Sequence, residues 1–230
     1  MMFFIAAGIV LLNVTIYLVM SRIYRRFHIP ILLPALTATV AVVVLLLCFE
    51  IPYDTYMIGG QWINKLLGPA VVSLAYPLYK QRHVLRHNLP AILGGTITGL
   101  LVGMLSGMLL AAAAGFSKMY VLSMLPKSIT TPVAIQISSN LGGDSSLTSV
   151  FVMIAGFTGA IGGPYIIKWF RIKSTVGIGI GLGAASHALG TAKALEYGEQ
   201  SVSMSSVAMT VCAIVGSIVG PLVAWMIYSL

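Results

Sequence analysis

Charged residues are scarce in this chain, and their scarcity decides its class. Only 8% of the 230 residues are Asp, Glu, Lys or Arg, whereas 58% are hydrophobic. A soluble domain carries roughly 25% charged residues to cover its surface, so the composition excludes a soluble globular protein. It predicts a polytopic all-α membrane protein that forms a single integral membrane domain over residues 1–230.

Acidic residues are rarer still. The chain has five of them against thirteen Lys and Arg, which gives a formal net charge of +8. In a soluble protein this excess would favour a nucleic-acid partner. In a membrane protein it is typical of loops that face the cytoplasm, so the lipid bilayer is the expected surrounding and no nucleic-acid partner is expected.

The chain also lacks the motifs of several enzyme classes. No Walker sequence is present, and no cluster of His, Cys and Asp has metal-ligand spacing. Its two cysteines, Cys48 and Cys212, each stand alone in an apolar run. The glycine runs at 94–107 and 177–183 are typical of helix packing in membranes. We therefore expect no enzymatic activity, no metal and no cofactor.

Long apolar runs dominate what remains. A helix needs about 20 apolar residues to cross a bilayer, and the sequence contains two kinds of candidate. Clear spans lie near 2–20, 31–49, 90–114, 146–168 and 203–228. Segments 60–79 and 175–195 are long enough but are interrupted by glycine, proline or polar residues. Together these segments predict about seven crossings.

Basic residues assign a direction to these crossings. Nine of the thirteen Lys and Arg fall in three clusters, whereas all five acidic residues fall in other loops. The clusters contain Arg22, Arg25 and Arg26; Lys80, Arg82 and Arg86; and Lys168, Arg171 and Lys173. Under the positive-inside rule these loops are cytoplasmic. The prediction then places the N-terminus outside and the C-terminus in the cytoplasm.

Segment 119–141 does not fit a simple crossing under this topology, because it begins and ends on the outer side. It is predicted to be a re-entrant hairpin or two very short crossings. Pro126 and Pro132 supply the break, since proline cannot donate the helical hydrogen bond.

The two interrupted segments also predict an internal relation. They contain LGPAVVSLAYP at 67–77 and LGAASHALGTA at 182–192, and they run in opposite directions. This pattern is typical of an inverted-topology repeat with two broken helices, with halves at 31–114 and 146–228. Gly68 and Pro69 are the expected break in the first helix and Gly190 in the second. Chance similarity between helices rich in glycine and alanine is the alternative.

The first candidate site lies in the predicted hairpin, between its two prolines. A helix starting near Thr131, with Pro132 in its first turn, would present free N–H groups and a partial positive charge. Lys127 adds a full charge, and Ser128, Thr130 and Thr131 add hydroxyls. The stretch is a candidate carboxylate cradle. An extracellular loop followed by a capped helix is the plainer interpretation.

The second candidate site lies in the broken segment 175–195. If this helix unwinds near Gly190, His187 and Thr191 face a central cavity, and His187 can carry a proton. A structural histidine bonded to a backbone carbonyl is the alternative. Lys193 has either a charge role or a position near the surface, with its side chain reaching the interface.

Weaker candidates follow the first site along the chain. Gln136 and Asn140 add a polar face to the helix and are included in the predicted substrate site. Asp144 is expected to cap the next helix rather than to bind an ion.

At these segments the sequence resembles the LrgB/CidB family of bacterial membrane proteins over nearly its whole length. The resemblance rests on three stretches: LLGPAVVSLAYPLYKQR at 66–82, PKSITTPVAIQISSNLGG at 126–143 and GIGLGAASHALGTAKALE at 179–196. It implies a multi-pass protein of the bacterial plasma membrane with a small holin-like partner of the LrgA/CidA kind. It also implies antiholin-like control of murein hydrolases and lysis, or transport of pyruvate or glycolate-like anions.

Two hypotheses follow. The first is a secondary transporter of a small monocarboxylate such as pyruvate, coupled to protons, and a chain this short favours a homodimer. The second is an antiholin-like regulator of murein hydrolase activity that has no substrate of its own. Broken helices and polar residues at membrane depth favour the first.

Overall fold

A computed structural model describes residues 2–27, 29, 32–73, 75–80 and 82–228. These residues form helices joined by short turns and contain no strand. The helices are α1 (Met2–Phe27), α2 (Pro34–Cys48), α3 (Tyr53–Lys65), α4 (Leu67–Ser73), α5 (Ala75–Lys80), α6 (Arg82–His87), α7 (Leu89–Ala113), α8 (Lys118–Met124), α9 (Thr131–Leu141), α10 (Ser145–Trp169), α11 (Thr175–Ala194) and α12 (Glu199–Tyr228). The predicted helical class is confirmed.

Within the described ranges, four helices are long and apolar enough to cross a membrane: α1, α7, α10 and α12. Helix α2 is apolar but shorter. The chain divides into two compact units, residues 1–70 and 71–230. Neither the predicted count of seven crossings nor the predicted repeat between 31–114 and 146–228 is confirmed.

The first unit is built on α1, against which α2 and α3 pack. Tyr56 of α3 donates a hydrogen bond of 2.9 Å to Asn13 of α1. Gly59 allows close approach, because a Cβ there would lie 2.5 Å from the Cβ of Ile9. A polar bond and a glycine contact therefore join two otherwise apolar helices, as is usual between membrane helices.

The segment 118–141 in the second unit forms a hairpin, which we call hairpin 1. It consists of α8, a 3-10 turn at Leu125–Ser128 and α9. Both ends lie at one end of the unit, since Lys118 and Leu141 line one depression with Tyr228, the last residue of α12. The turn reaches the middle of α7, where a Cβ on Gly103 would meet Ser128. The tip of hairpin 1 therefore lies beside the middle of α7, while both of its arms start from one end of the unit.

Buried hydroxyls fasten hairpin 1 to α10. Thr148 of α10 donates toward the Ser123 carbonyl at 3.0 Å and lies 2.7 Å from the Ser138 hydroxyl. Asp144 caps α10, as predicted, because its carboxylate accepts the Leu147 N–H at 2.8 Å. Both arms of the hairpin are thus bonded to the helix that follows them.

Replacing Thr148 with valine removes this junction and leaves buried oxygens unpaired. We expect Thr148→Val to lower unfolding stability by about 1–3 kcal/mol, measured by denaturant unfolding in detergent micelles. Thr158→Val is the matched control, since the Thr158 hydroxyl is exposed and bonds only the Ile154 carbonyl of its own helix. Equal stability of the two variants would contradict a fastening role for Thr148.

The segment 175–197 forms a second hairpin, hairpin 2, and it enters from the opposite end of the unit. The Thr175 hydroxyl donates to Gln200 Oε1 at 2.6 Å, and Ser201 donates to the Thr175 carbonyl at 3.0 Å. The start of α11 therefore lies beside the start of α12. The chain reverses at His187, and Gly190 of the returning arm contacts the Leu182 carbonyl of the first.

Hairpin 2 corrects two predictions. Segment 175–195 was expected to cross the membrane and carry the C-terminus to the side of the basic segment 168–173. This is wrong, because the hairpin returns to its starting end and only α12 then crosses. The second correction concerns the break, which was expected near Gly190. It lies at His187, while Gly190 allows the two arms to touch.

One glycine contact sets the position of hairpin 2 on α12. A Cβ on Gly183 would lie 2.8 Å from the Ser205 Cα, so the two backbones are in direct contact. We expect Gly183→Ala to lower the thermal stability of the purified protein by about 1–3 kcal/mol. Gly181→Ala is the control, because a Cβ there has open space. A larger loss in Gly181→Ala than in Gly183→Ala would contradict this packing.

Candidate functional site

The tips of the two hairpins meet in the middle of the second unit. Hairpin 1 brings Lys127 and Ser128, and hairpin 2 brings Ser186 and His187. The His187 side chain faces the backbone of Ser128 and lies near the Lys127 ammonium group. Residues about 60 positions apart in the chain are therefore neighbours, although they enter from opposite ends.

The depth of this meeting point follows from the long helices. Gly103 of α7 contacts Ser128, and Gly159 of α10 contacts Ser186. At a rise of 1.5 Å per residue each glycine lies about 15 Å from one end of its 25-residue helix. That is about half the thickness of a bilayer hydrocarbon core. The tips consequently lie near mid-depth.

His187 adopts a backbone conformation that L residues rarely hold. Its φ of 51° and ψ of −125° interrupt α11 and reverse the chain. Such a conformation in a non-glycine residue costs roughly 1–3 kcal/mol and tends to occur at functional sites. Position 187 is occupied by histidine, although glycine would adopt this backbone conformation with less strain.

Two buried polar atoms at the tip of hairpin 2 have no hydrogen-bond partner among the described residues. They are Ser186 Oγ and His187 Nε2. Ser186 is 1% exposed and His187 is 4% exposed. Leaving such a group unpaired costs about 1–3 kcal/mol. A ligand with hydrogen-bonding capacity would recover this cost.

Lys127 brings a cation to the same place. Its methylene groups pack on Gly107 of α7, and its Nζ lies 3.5 Å from the Ser128 hydroxyl. Among the residues that the structure describes, no carboxylate pairs with it; the ion pair there joins Lys193 and Glu196 at 2.7 Å. The site therefore holds positive charge without a protein counter-ion.

A cavity of about 730 Å³ lies between α7 and α10 and is lined by Ala184 and Ala185 of hairpin 2, but not by Ser186 or His187. Its lining includes the polar residues Lys127 and Ser128 of hairpin 1. It also includes glycines of α7, among them Gly99 and Gly103. Apolar side chains such as Phe151 and Ile154 line the remainder. The cavity has room for a small anion with an apolar portion.

The start of α9 matches the prediction. The helix begins at Thr131, Thr130 is its N-cap residue and Pro132 lies in its first turn. No side chain caps it. The Thr131 N–H has no partner within the helix, Pro132 has no N–H, and the Val133 N–H donates to the Thr130 carbonyl at 3.1 Å. This start of α9 follows directly on the tip of hairpin 1, and Pro126 bends the preceding turn with φ −84° and ψ 16°.

Other predicted residues lie away from the tips. Gln136 and Asn140 are both exposed on α9. Thr191 donates to the His187 carbonyl at 2.9 Å and lies 2.9 Å from the Ser205 hydroxyl, so it supports the turn. Lys193 is buried in its ion pair and does not extend to the surface.

Gly68 and Pro69 lie in the first turn of α4, at the end of the first unit. The helix interruption falls just before them, at Leu66, where α3 has ended. The expected break at Gly68 and Pro69 is therefore displaced to Leu66, since proline is tolerated in a first helical turn.

Sequence reasoning did not single out Ser186 or the glycines that face the tips. Ser186 directly precedes the histidine that was chosen. Gly103 belongs to the glycine run 94–107 that was assigned to helix packing, and Gly159 lies in the predicted span 146–168. In the sequence, the one feature that could have indicated Ser186 is its position next to His187 in a segment of small residues.

The fold and its long apolar helices define an integral α-helical membrane protein that contains two helical hairpins. The chain belongs to the LrgB-like family, whose model matches residues 13–226. It is 59% identical to Uncharacterized protein YxaC of Bacillus subtilis (strain 168), over 97% of each chain. It is 38% identical to Holin-like protein CidB of Staphylococcus aureus (strain Mu50 / ATCC 700699), over 95% of this chain and 96% of that protein. No solved structure matches it.

Proposed function

We propose that this protein is a secondary transporter of a small monocarboxylate such as pyruvate, in the bacterial plasma membrane. One observation carries the proposal: Lys127, which has no carboxylate partner in the described chain, lies at mid-depth beside the unpaired Ser186 Oγ and His187 Nε2. Burying a charge without a partner is costly, and an anionic substrate removes that cost on binding.

The carboxylate binds between the tips in this scheme. Lys127 neutralises its charge, and Ser128 donates a hydrogen bond together with the N–H groups of Thr130, the N-cap residue of α9, and Thr131. Ser186 and His187 contact the substrate from the other side. His187 is the candidate proton carrier, because imidazole is a side chain that can bind and release a proton.

The opposed hairpins offer a physical basis for alternating access. Each tip is continuous with arms that reach a different end of the second unit. Movement of hairpin 1 would open the site toward one side of the membrane and movement of hairpin 2 toward the other. With segment 168–173 facing the cytoplasm, hairpin 2 is the cytoplasmic gate and the end of α12 faces outside.

A second candidate function rests on the relatives. The name Holin-like protein CidB favours an antiholin-like or holin-like regulator of lysis that acts with a small LrgA/CidA-type partner. In that case the polar tips serve assembly, and the protein carries no substrate. A homodimer is compatible with both functions.

Uptake of radiolabelled pyruvate into proteoliposomes with an imposed pH gradient tests the proposal. The protein is reconstituted alone and with its small partner. Saturable uptake in either arrangement supports a carrier, and dependence on the partner makes it a two-component one. Absence of uptake in both arrangements, from protein that circular dichroism shows to be folded, favours the lysis regulator.

A further inference from the structure

The segment 168–173 combines exposed cations with exposed aromatic rings at the end where hairpin 2 begins. Its sequence is KWFRIK, and Lys168, Arg171 and Lys173 are all exposed. Trp169 is 82% exposed and Phe170 68%, with ring centroids 5.5 Å apart. Neither the candidate site nor the packing of the helices uses these side chains.

The segment is held in one shape by its backbone. The Arg171 N–H donates to the Lys168 carbonyl at 3.2 Å, and the Ile172 N–H to the Ile167 carbonyl at 3.0 Å. Arg171 has a φ of 54°, which turns the chain sharply after α10. Ser174 then caps α11 by accepting the Gly177 N–H at 3.2 Å. The three cations consequently occupy a short, ordered turn rather than a loose loop.

The charge around this turn is positive. No carboxylate lies within 4.0 Å of its cations among the residues described. Two carboxylates lie at the same end, where Glu196 is paired with Lys193 and Glu199 is in the first turn of α12. Aromatic side chains at this position are typical of the membrane–water interface. Cations there attract anionic headgroups.

We infer that the turn 168–173 binds the headgroup of an anionic glycerophospholipid. Lys168, Arg171 and Lys173 contact the phosphate groups, while the rings of Trp169 and Phe170 lie among the upper acyl chains. Because Ser174 follows directly and caps the first arm of hairpin 2, bound lipid steadies the base of that hairpin. The inference does not depend on the transported substrate.

Fluorescence quenching by brominated lipids tests it. Substituting Trp62→Phe and Trp225→Phe leaves Trp169 as the one tryptophan of the sequence. The protein is reconstituted in phosphatidylcholine vesicles that contain a minor fraction of brominated phosphatidylglycerol or of brominated phosphatidylcholine. We expect at least twofold stronger quenching by the anionic lipid.

The triple variant Lys168→Gln, Arg171→Asn and Lys173→Gln should lose this preference, since asparagine tolerates the positive φ at position 171. Lys118→Gln, at the other end of the unit, should keep it. Equal quenching by the two lipids in the parent protein would overturn the inference, and so would an unchanged preference in the triple variant.

Discussion

Lys127→Met is expected to lower pyruvate uptake by about ten- to a hundredfold. Methionine keeps a long unbranched side chain against Gly107, so the packing on α7 is preserved. What is lost is the cation that pairs with the carboxylate, and a hydrogen bond to a charged group contributes about 1.5–3 kcal/mol. The loss should appear in uptake by proteoliposomes at substrate concentrations below saturation.

Lys118→Met is the matched control for this result. Lys118 lies on the same hairpin, but its ammonium is over the Tyr228 ring, 4.5 Å from the centroid, at the end of the unit. Uptake should be close to that of the parent. If Lys127→Met transports pyruvate as well as the parent, the carboxylate does not bind at this tip.

His187→Gly and His187→Ala are expected to differ in stability while both lose transport. Both variants remove the imidazole, but only glycine adopts φ 51° and ψ −125° without strain. The glycine variant should therefore be more stable than the alanine variant by about 1 kcal/mol. Denaturant unfolding in micelles measures this difference, and proteoliposome uptake measures the activity.

The pair separates a functional histidine from a structural one. A structural imidazole would make both variants markedly less stable than the parent, with the glycine variant still the more stable of the two. A glycine variant that is at least as stable as the parent, and yet inactive, is the expected outcome for a residue retained for transport. Full uptake by either variant would contradict a role for His187.

Hairpin 1 was predictable because its sequence contains explicit breaks. Pro126 and Pro132 interrupt the helix on either side of the tip, and Gly142 ends α9 with a φ of 86°. Both prolines act through local stereochemistry, which needs no knowledge of the rest of the fold. The start of α9 at Thr131 followed from the same signals.

Hairpin 2 was missed because its reversal carries no such signal. The turn occurs at His187 rather than at a glycine or a proline, inside a run of glycine and alanine typical of a continuous membrane helix. Charge gave no help, since no Lys or Arg follows Lys193. The positive-inside rule therefore could not assign the C-terminus to one side of the membrane, because it depends on Lys and Arg near the ends of the helices.

The candidate site was partly predictable for a similar reason. Lys127, Ser128 and His187 stand out because ionisable and polar residues are rare at membrane depth. Which face of a helix is buried depends on tertiary packing, and Gln136 and Asn140 prove to lie on the exposed face of α9. Ser186 became notable only when its hydroxyl was found buried without a partner in the described structure.

The proposal of a site between opposed hairpins depends on hairpin 2 returning to its starting end. Cysteine cross-linking tests this most directly, in a protein carrying Cys48→Ser and Cys212→Ala. Thr175→Cys is combined with either Gln200→Cys or Tyr228→Cys under mild oxidation. The hairpin predicts rapid cross-linking of positions 175 and 200, whose side-chain oxygens lie 2.6 Å apart, and none between 175 and 228. Cross-linking of 175 to 228 but not to 200 would show that segment 175–195 crosses the membrane, and would contradict the site.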